Sequence, residues 1–302
     1  MDKRSIGSLE VSTIGLGCNN FGSRIDEAQT KEVVDAAIDA GINFFDTADM
    51  YGGTLSEEFL GWALGDRRKQ TVIATKFGHD MNGVRMGARP EYVIQACEAS
   101  LRRLGTDFID LYQLHIPDPN VPLADTLGAL DLLVKQGKVR EIGCSNFDVA
   151  LMREAEAAVK PGGAKFVSVQ NEMSLLHREP EDGVLDECAQ HGIAFLPYFP
   201  LFSGLLTGKY RLGRPNPEGT RIKEDSERRS EKNLETVEQL TAFAESKGHS
   251  LLELAISWLL AHGPVASVIA GATKPDQVRA NVAAGDWEID DATMNEIASV
   301  LS

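Results

Sequence analysis

Cysteine is scarce in this chain and never clustered. Cys18, Cys97, Cys144 and Cys188 stand far apart and form no Cys-x-x-Cys. That spacing excludes a disulfide framework and a thiolate zinc site; it fits a reducing, cytoplasmic setting in which the thiols act as small buried hydrophobes. Basic residues are in deficit too, with 30 Lys and Arg against 45 Asp and Glu for a formal charge of −15. Such a surface repels nucleic acid and anionic lipid, so neither is an expected partner, and any anion site must be a local exception. Long apolar runs are missing. The most apolar stretch, LLELAISWLLAHGPVASVIAGA, is broken by Glu253, His262 and Pro264 and reads as a buried helix and a strand. The N-terminal MDKRSIGSLEV has no signal-peptide core. His79, His177, His191, His249 and His262 show no ligand spacing, so no metal is expected and these residues receive no role.

What is present is a regular alternation. The 302 residues are 43 % hydrophobic and 25 % charged, an ordinary globular composition long enough for one large α/β domain or two smaller ones. VSTIGLG, INFFD, TVIATK, FIDLYQLH, VREIGCSN, KFVSVQN, IAFLPYF and ASVIAGA read as strands. Between them lie segments with helical periodicity: TKEVVDAAIDAG, SEEFLGWALG with Ser56 as its N-cap, RPEYVIQACEASLRRLG, LADTLGALDLLVKQG, DVALMREAEAAV, DGVLDECAQHG and a helix-rich stretch from about Lys232 to Ala261. KPDQVRANVAA reads as the last helix. Eight strand–helix units imply a parallel sheet, and eight without a break suggest a closed (β/α)8 TIM barrel, with an open doubly wound sheet as the alternative. No linker divides residues 1–302, which are expected to form one domain. The segment at about 203–231 is rich in Gly, Pro and charge, and is expected to be a long irregular loop near the active face.

In such a barrel the active site is built where strands end. Asp46, Lys76 and His115 end the second, third and fourth predicted strands; Ser145 and Asn146, Gln170 and Tyr198 end the next three. A strand-end Asp often caps a helix, and a lone His or Lys is usually structural or solvated. Together, with Tyr51 in the intervening loop, they form a site with acid and base functions.

The chain resembles the aldo-keto reductase superfamily nearly end to end, from IGLGCNNFG to GATKPDQVRAN, with FFDTADMYG, ATKFG, LYQLH, GCSNF and LLTGKY in the family's order. It is most similar to the shorter bacterial-type members, since the chain stops soon after the last predicted helix and a pocket-closing C-terminal loop is missing. The resemblance implies a (β/α)8 barrel that binds NADPH (NADP+) without a Rossmann domain and reduces a small-molecule carbonyl substrate. Its catalytic tetrad carries over to Asp46, Tyr51, Lys76 and His115, with hydride transfer to the carbonyl carbon and Tyr51 protonating the oxygen. A free phenol has a pKa of about 10; Lys76 is expected to lower that of Tyr51, Asp46 to keep Lys76 charged, and His115 to donate to the carbonyl oxygen.

The same resemblance assigns Ser145, Asn146 and Gln170 to the nicotinamide carboxamide and Tyr198 to stacking on its ring. Leu201, Ser203, Gly204 and Lys209 fall around the pyrophosphate, although Phe199 stands where the family often has Ser. Gly271, Thr273, Lys274, Gln277 and Asn281 fall in the adenosine and 2′-phosphate region. Many relatives have Lys and Ser at the places of Gly271 and Ala272, and Arg at that of Gln277. Asn20 and Phe21 join Tyr51 and His115 as expected substrate contacts, with Asn19, Met50 and Trp62 as further candidates. Two other readings exist: a nucleotide-binding, redox-sensing regulatory subunit of the same fold, and a lyase or isomerase using a Schiff base on Lys76. His115 argues against the first and the Ser145–Asn146–Gln170 set against the second.

Overall fold

A computed structural model describes residues 1–81, 84–218, 220 and 222–301. Eight parallel strands run in chain order around a ring: β1 (Ile14–Gly17), β2 (Phe44–Asp46), β3 (Val72–Phe77), β4 (Ile109–Leu114), β5 (Val139–Ser145), β6 (Phe166–Gln170), β7 (Ala194–Phe195) and β8 (Val268–Gly271). The last pairs with the first, Val268 opposite Ile14 through Gly271 opposite Gly17. Between β7 and β8 the ring is completed by a parallel bridge from Phe195 to Val265, with the Ala266 N–H donating to Phe195 O at 3.0 Å. This is the closed barrel, since an open sheet leaves its first and last strands unpaired.

Helices α1 (Glu27–Asp39), α2 (Leu55–Leu64), α3 (Pro90–Leu104), α4 (Leu123–Lys135), α5 (Val149–Ala158) and α6 (Val184–His191) each follow one strand. Two helices, α7 (Glu231–Ser246) and α8 (Leu251–Leu260), lie between β7 and β8, and α9 (Pro275–Ala283) follows β8. A further helix, α10 (Asp291–Val300), begins at Asp290, whose side chain accepts from the Thr293 N–H. This helix lies beyond KPDQVRANVAA, the expected last one; DWEIDDATMNEIASV carries only a sparse apolar stripe, and Ile297 is the one buried residue of α10.

The N-terminal end holds another element absent from that reading. Lys3–Ile6 and Leu9–Ser12 form an antiparallel hairpin, so the expected first strand, VSTIGLG, is split between the hairpin and β1. Ile6, Leu9 and Val11 of the hairpin pack with Phe44, Val72, Ala74 and Leu111 inside the barrel and close its floor. Alternation then decides the opposite end. Strand residues point inward at every second position, so the register that places Phe44, Val72, Ala74 and Leu111 inside also places Asp46, Lys76, Gln113 and His115 inside at the top. The other parity, including Phe45, Ile73 and Phe77, packs against the helices.

Two local expectations are corrected. Ser56 lies inside α2 instead of capping it, and the cap position is Thr54. The buried Ser56 hydroxyl donates to Cys18 O at 2.8 Å and pairs with the Thr47 hydroxyl, which ties the loops after β1 and β2 together. Trp62 is 53 % exposed on the outside of α2 and belongs to neither core nor mouth. The segment about 203–231, of which residues 219 and 221 lie outside the described chain, is anchored at several described residues. Tyr210 and Ile222 are buried, Arg211 pairs with Glu238 of α7, and Arg228 pairs with Glu172 while lying over the rings of Phe199 and Phe202.

The loop that carries Tyr51 is held by close backbone approach. Gly52 and Gly53 both have positive φ, 59° and 66°. A Cβ at Gly52 would run into the Phe21 carbonyl oxygen, whereas one at Gly53 would meet nothing within 4 Å. Gly53→Ala is therefore expected to cost about 1 kcal/mol from the left-handed backbone alone, and Gly52→Ala about 2–4 kcal/mol because the loop must also move. Urea unfolding of the two variants checks this; equal losses would overturn it.

Candidate active site

The strand ends surround a cavity of about 450 Å³ at the top of the barrel. At its base Lys76 is fully buried and surrounded by acceptors. Its ammonium reaches Asp46 Oδ2 at 2.6 Å, Thr47 O at 2.8 Å and Tyr51 Oη at 3.5 Å. An ammonium has three N–H donors, and all three are used. The other Asp46 oxygen accepts from Gln170 Nε2 at 2.9 Å and from Gln113 Nε2 at 3.4 Å. Burial works against the Lys76 charge, but Asp46 and the Tyr51 oxygen outweigh it, and the lysine pKa stands above its ordinary value. A lysine so held is no nucleophile for Schiff-base chemistry, which needs a free amine.

The expectation for Tyr51 reverses. Burial raises its pKa above the ordinary phenol value; Lys76 pulls it down, Asp46 pushes it up, and the net shift is upward. The phenol is thus held protonated. His115 is 9 % exposed, with Nδ1 buried and without a hydrogen-bond partner among the described residues. Burial first, then Lys76 and His79, depresses its pKa well below the usual histidine value, so the ring is neutral near pH 7. Its centroid lies 5.9 Å from that of Tyr51, edge to face.

Beyond this base, the residues expected around a nicotinamide are bonded to one another. The Ser145 hydroxyl donates to Gln170 O at 2.6 Å, Asn146 Nδ2 donates to His115 O at 2.9 Å, and the Tyr198 hydroxyl donates to Asn146 Oδ1 at 2.8 Å. Asn146 adopts φ 61°, a left-handed conformation that asparagine tolerates. Gln170 uses one of its two N–H donors on Asp46, which leaves one donor and its carbonyl oxygen for a ligand.

Leu201, Ser203, Gly204 and Lys209 line the next part of the cavity, and Gly271, Thr273, Gln277 and Asn281 its far end. Gln277 Oε1 accepts from both the N–H and the hydroxyl of Thr273 across the start of α9. Asn19, Asn20 and Met50 also line the cavity. Besides Trp62, two proposed contacts do not. Phe21 is completely buried in the core, with its N–H bonded to Cys18 O at 3.0 Å in the turn after β1. Lys274 is the N-cap of α9 and lies outside the wall.

Arg24, Thr207 and Gln113 join the site without a signal at a strand end, and His79, given no role from its spacing, and Phe199 also line the cavity. Gln113 was findable, since it stands two residues before His115 on the same inward parity. Arg24 and His79 sit in loops, where no periodicity reports direction. Arg24 has no ion-pair partner among the described residues, so it is a local positive charge at the cavity of an acidic protein.

Behind Tyr51 lies a second buried polar group. Asp49 is 2 % exposed and accepts from the Tyr92 hydroxyl at 3.4 Å, while its N–H bonds Lys76 O at 3.1 Å. Burial, aided by the charge of Glu57, pushes its pKa to about 7. The folded protein then keeps a proton that the unfolded chain releases near pH 4, so this group lowers stability as pH rises from about 4 to 7. Asp49→Asn is expected to raise the unfolding free energy at pH 7.5 by about 2–4 kcal/mol and to leave it nearly unchanged at pH 4. Urea midpoints at the two pH values check this, and a stabilisation independent of pH would refute it.

Comparison with known proteins agrees with this geometry. The profile of the Aldo/keto reductase family matches residues 13–302. An aldo-keto reductase of Schizosaccharomyces pombe, named for NADP(+), is 35 % identical over 97 % of this chain and 89 % of its own. A probable aldo-keto reductase of Glycine max is 34 % identical over 96 % and 85 %. Among solved structures, the holo form of a Bacillus halodurans aldo-keto reductase superposes with a TM-score of 0.83 at 32 % identity, covering 99 % of this chain and 96 % of the other. A glycerol dehydrogenase of Gluconobacter oxydans superposes at 0.85 with 29 % identity, covering 99 % and 95 %. None of these names is that of a regulatory subunit, and the regulatory reading draws no support from them. With a family match over nearly its whole length and a closed barrel whose strand ends converge on one polar cavity, the chain belongs to the aldo/keto reductase family.

Proposed function

We propose that this chain, acting as one domain, reduces aldehydes or ketones to alcohols with NADPH. The observation that carries the reading is the buried Lys76–Asp46 pair beneath the Tyr51 hydroxyl, with neutral His115 beside it at the base of an open cavity. The names of the yeast relative and of the Bacillus halodurans holo structure support a bound nicotinamide nucleotide.

The cavity residues fit that group chemically. Gln170 offers the donor and acceptor that a carboxamide needs, with Ser145 and Asn146 adjacent. Tyr198 presents its ring to the cavity, and Leu201, Ser203, Gly204 and Lys209, with Arg24, suit a pyrophosphate. Gly271, Thr273, Gln277 and Asn281 suit the adenosine end, and Lys274 at the N-terminus of α9 suits a 2′-phosphate. When bound, the dihydronicotinamide supplies the hydride that adds to the carbonyl carbon.

The protein's own residues then have separate tasks. Tyr51, held protonated, donates its proton to the carbonyl oxygen. Lys76 faces the resulting phenolate and stabilises it, and Asp46 keeps that lysine charged as it does so. Neutral His115 donates a hydrogen bond to the same oxygen and orients the carbonyl. Asn20 lines the cavity, its Nδ2 donating to Ala272 O at 3.3 Å, and is proposed as a further substrate contact. Four unpaired, buried thiols fit a reducing, cytoplasmic setting.

Tyr51→Phe is expected to lower kcat for an aromatic aldehyde about 10²–10⁴-fold while changing the NADPH dissociation constant only a few-fold. Loss of dihydronicotinamide absorbance reads turnover, and fluorescence titration reads binding. A variant that keeps wild-type turnover would remove Tyr51 from the proton transfer, and a wild type that fails to bind NADPH would sink the reading.

A further inference from the structure

Left-handed backbone is concentrated in one turn. Five non-glycine residues with positive φ occur among the described residues. Three of them, Phe199 at 50°, Phe202 at 46° and Ser203 at 60°, fall in the turn after β7, with Gly204 at 98° beside them. For a bulky L-residue this conformation is costly at each position, and it persists only where the surroundings impose it. Within the turn, the Phe202 N–H donates to Phe199 O and the Gly204 N–H to Leu201 O, both at 2.8 Å. Phe199, Leu201, Ser203 and Gly204 line the cavity, whereas Phe202 is buried in the core.

Arg228 spans this turn from outside. Its guanidinium carbon lies 4.4 Å from the centre of the Phe202 ring and 5.0 Å from that of Phe199, within the range of cation–π attraction. It meets Glu172 at two points, with Nη1 2.7 Å from Oε1 and Nη2 donating to Oε2 at 2.9 Å. Its own carbonyl accepts from Asn233 Nδ2 at 3.0 Å, which fixes the arginine to the first turn of α7. Glu172 forms a parallel bridge with Tyr198, and the Tyr198 ring stands edge to face on Phe199 at 5.3 Å. Arg228 does not line the cavity; it touches residues that do. We propose that Arg228 is a positioning residue for nucleotide binding: paired with Glu172 and laid across Phe199 and Phe202, it holds the turn after β7 in its left-handed form, and with it the wall that takes the nicotinamide nucleotide. A turn free to relax binds with an affinity reduced by the fraction of molecules still in the competent form. The inference rests on the carbonyl-reductase reading of this cavity and adds to it a residue outside the wall.

Arg228→Met keeps most of the stem and loses the charge and the fork. Its NADPH dissociation constant, read by fluorescence titration, is expected to rise about 10–30-fold, as for a competent fraction of about a tenth or less. The single-turnover rate for an aromatic aldehyde at saturating NADPH is expected to change less than about twofold, because Tyr51, Lys76, Asp46 and His115 are untouched. Arg228→Lys, which keeps a cation over the rings but not the fork on Glu172, is expected to weaken binding about 2–5-fold; it carries the same comparison should the methionine variant not fold. An unchanged dissociation constant, or an equal loss in binding and single-turnover rate, would overturn the proposal. A second readout needs no nucleotide. In the free Arg228→Met protein, amide hydrogen exchange at Leu201 to Leu206 is expected to quicken about tenfold or more, with the barrel strands unchanged. Exchange that stays the same, or quickens equally in the strands, would also overturn the proposal and make Arg228 a general stabilising contact. If the wild type fails to bind NADPH, the reductase reading fails, and the exchange comparison still decides whether Arg228 holds the turn.

Discussion

A buried ion pair organises this molecule. Lys76 and Asp46 are 2.6 Å apart with almost no solvent contact. Desolvating two such charges costs several kcal/mol each, and their attraction offsets this only when the remaining donors and acceptors are bonded. Here they are: the ammonium has three acceptors, and the second carboxylate oxygen takes Gln170 and Gln113. The pair therefore joins the ends of β2, β3, β4 and β6 and sets the relative positions of the strands that carry the site.

That arrangement decides protonation as much as geometry. A phenol near an ammonium ought to ionise more easily, yet burial and the Asp46 charge outweigh Lys76, and Tyr51 stays protonated. His115 stays neutral for related reasons, since it is buried and the same Lys76 charge disfavours a second cation. The one positive charge at the base is thus confined to the lysine, and the two groups facing the cavity are neutral. Both can donate to a carbonyl oxygen without a charged group having to be desolvated first.

The floor of the barrel makes the mouth possible. Ile6, Leu9 and Val11 of the N-terminal hairpin fill the lower interior together with inward strand residues, so the barrel is packed below and polar only at the top. No sequence pattern announces the hairpin, because KRSI and LEVS are short and their apolar residues contact a barrel interior remote in sequence. The same limit explains Ser56, which is a sensible helix cap by local pattern but serves as a bridge between two loops. It also explains Phe21, an aromatic next to the site in sequence whose side chain turns into the core.

The strand alternation, the number of units and the strand-end placement of Asp46, Lys76, His115, Ser145, Asn146 and Gln170 were all legible from the residues alone. Strand identity depends on a period of two and on short-range turn chemistry, which sequence carries directly. The family followed from motifs that keep order over the whole chain. What only the tertiary structure decided was which loop residues turn inward and what charge each group bears. Arg24 and His79 enter the cavity from loops that have no period, so no pattern announces them. The protonation of Tyr51 and His115 depends on burial summed over several strands, and burial exists only once the barrel has closed.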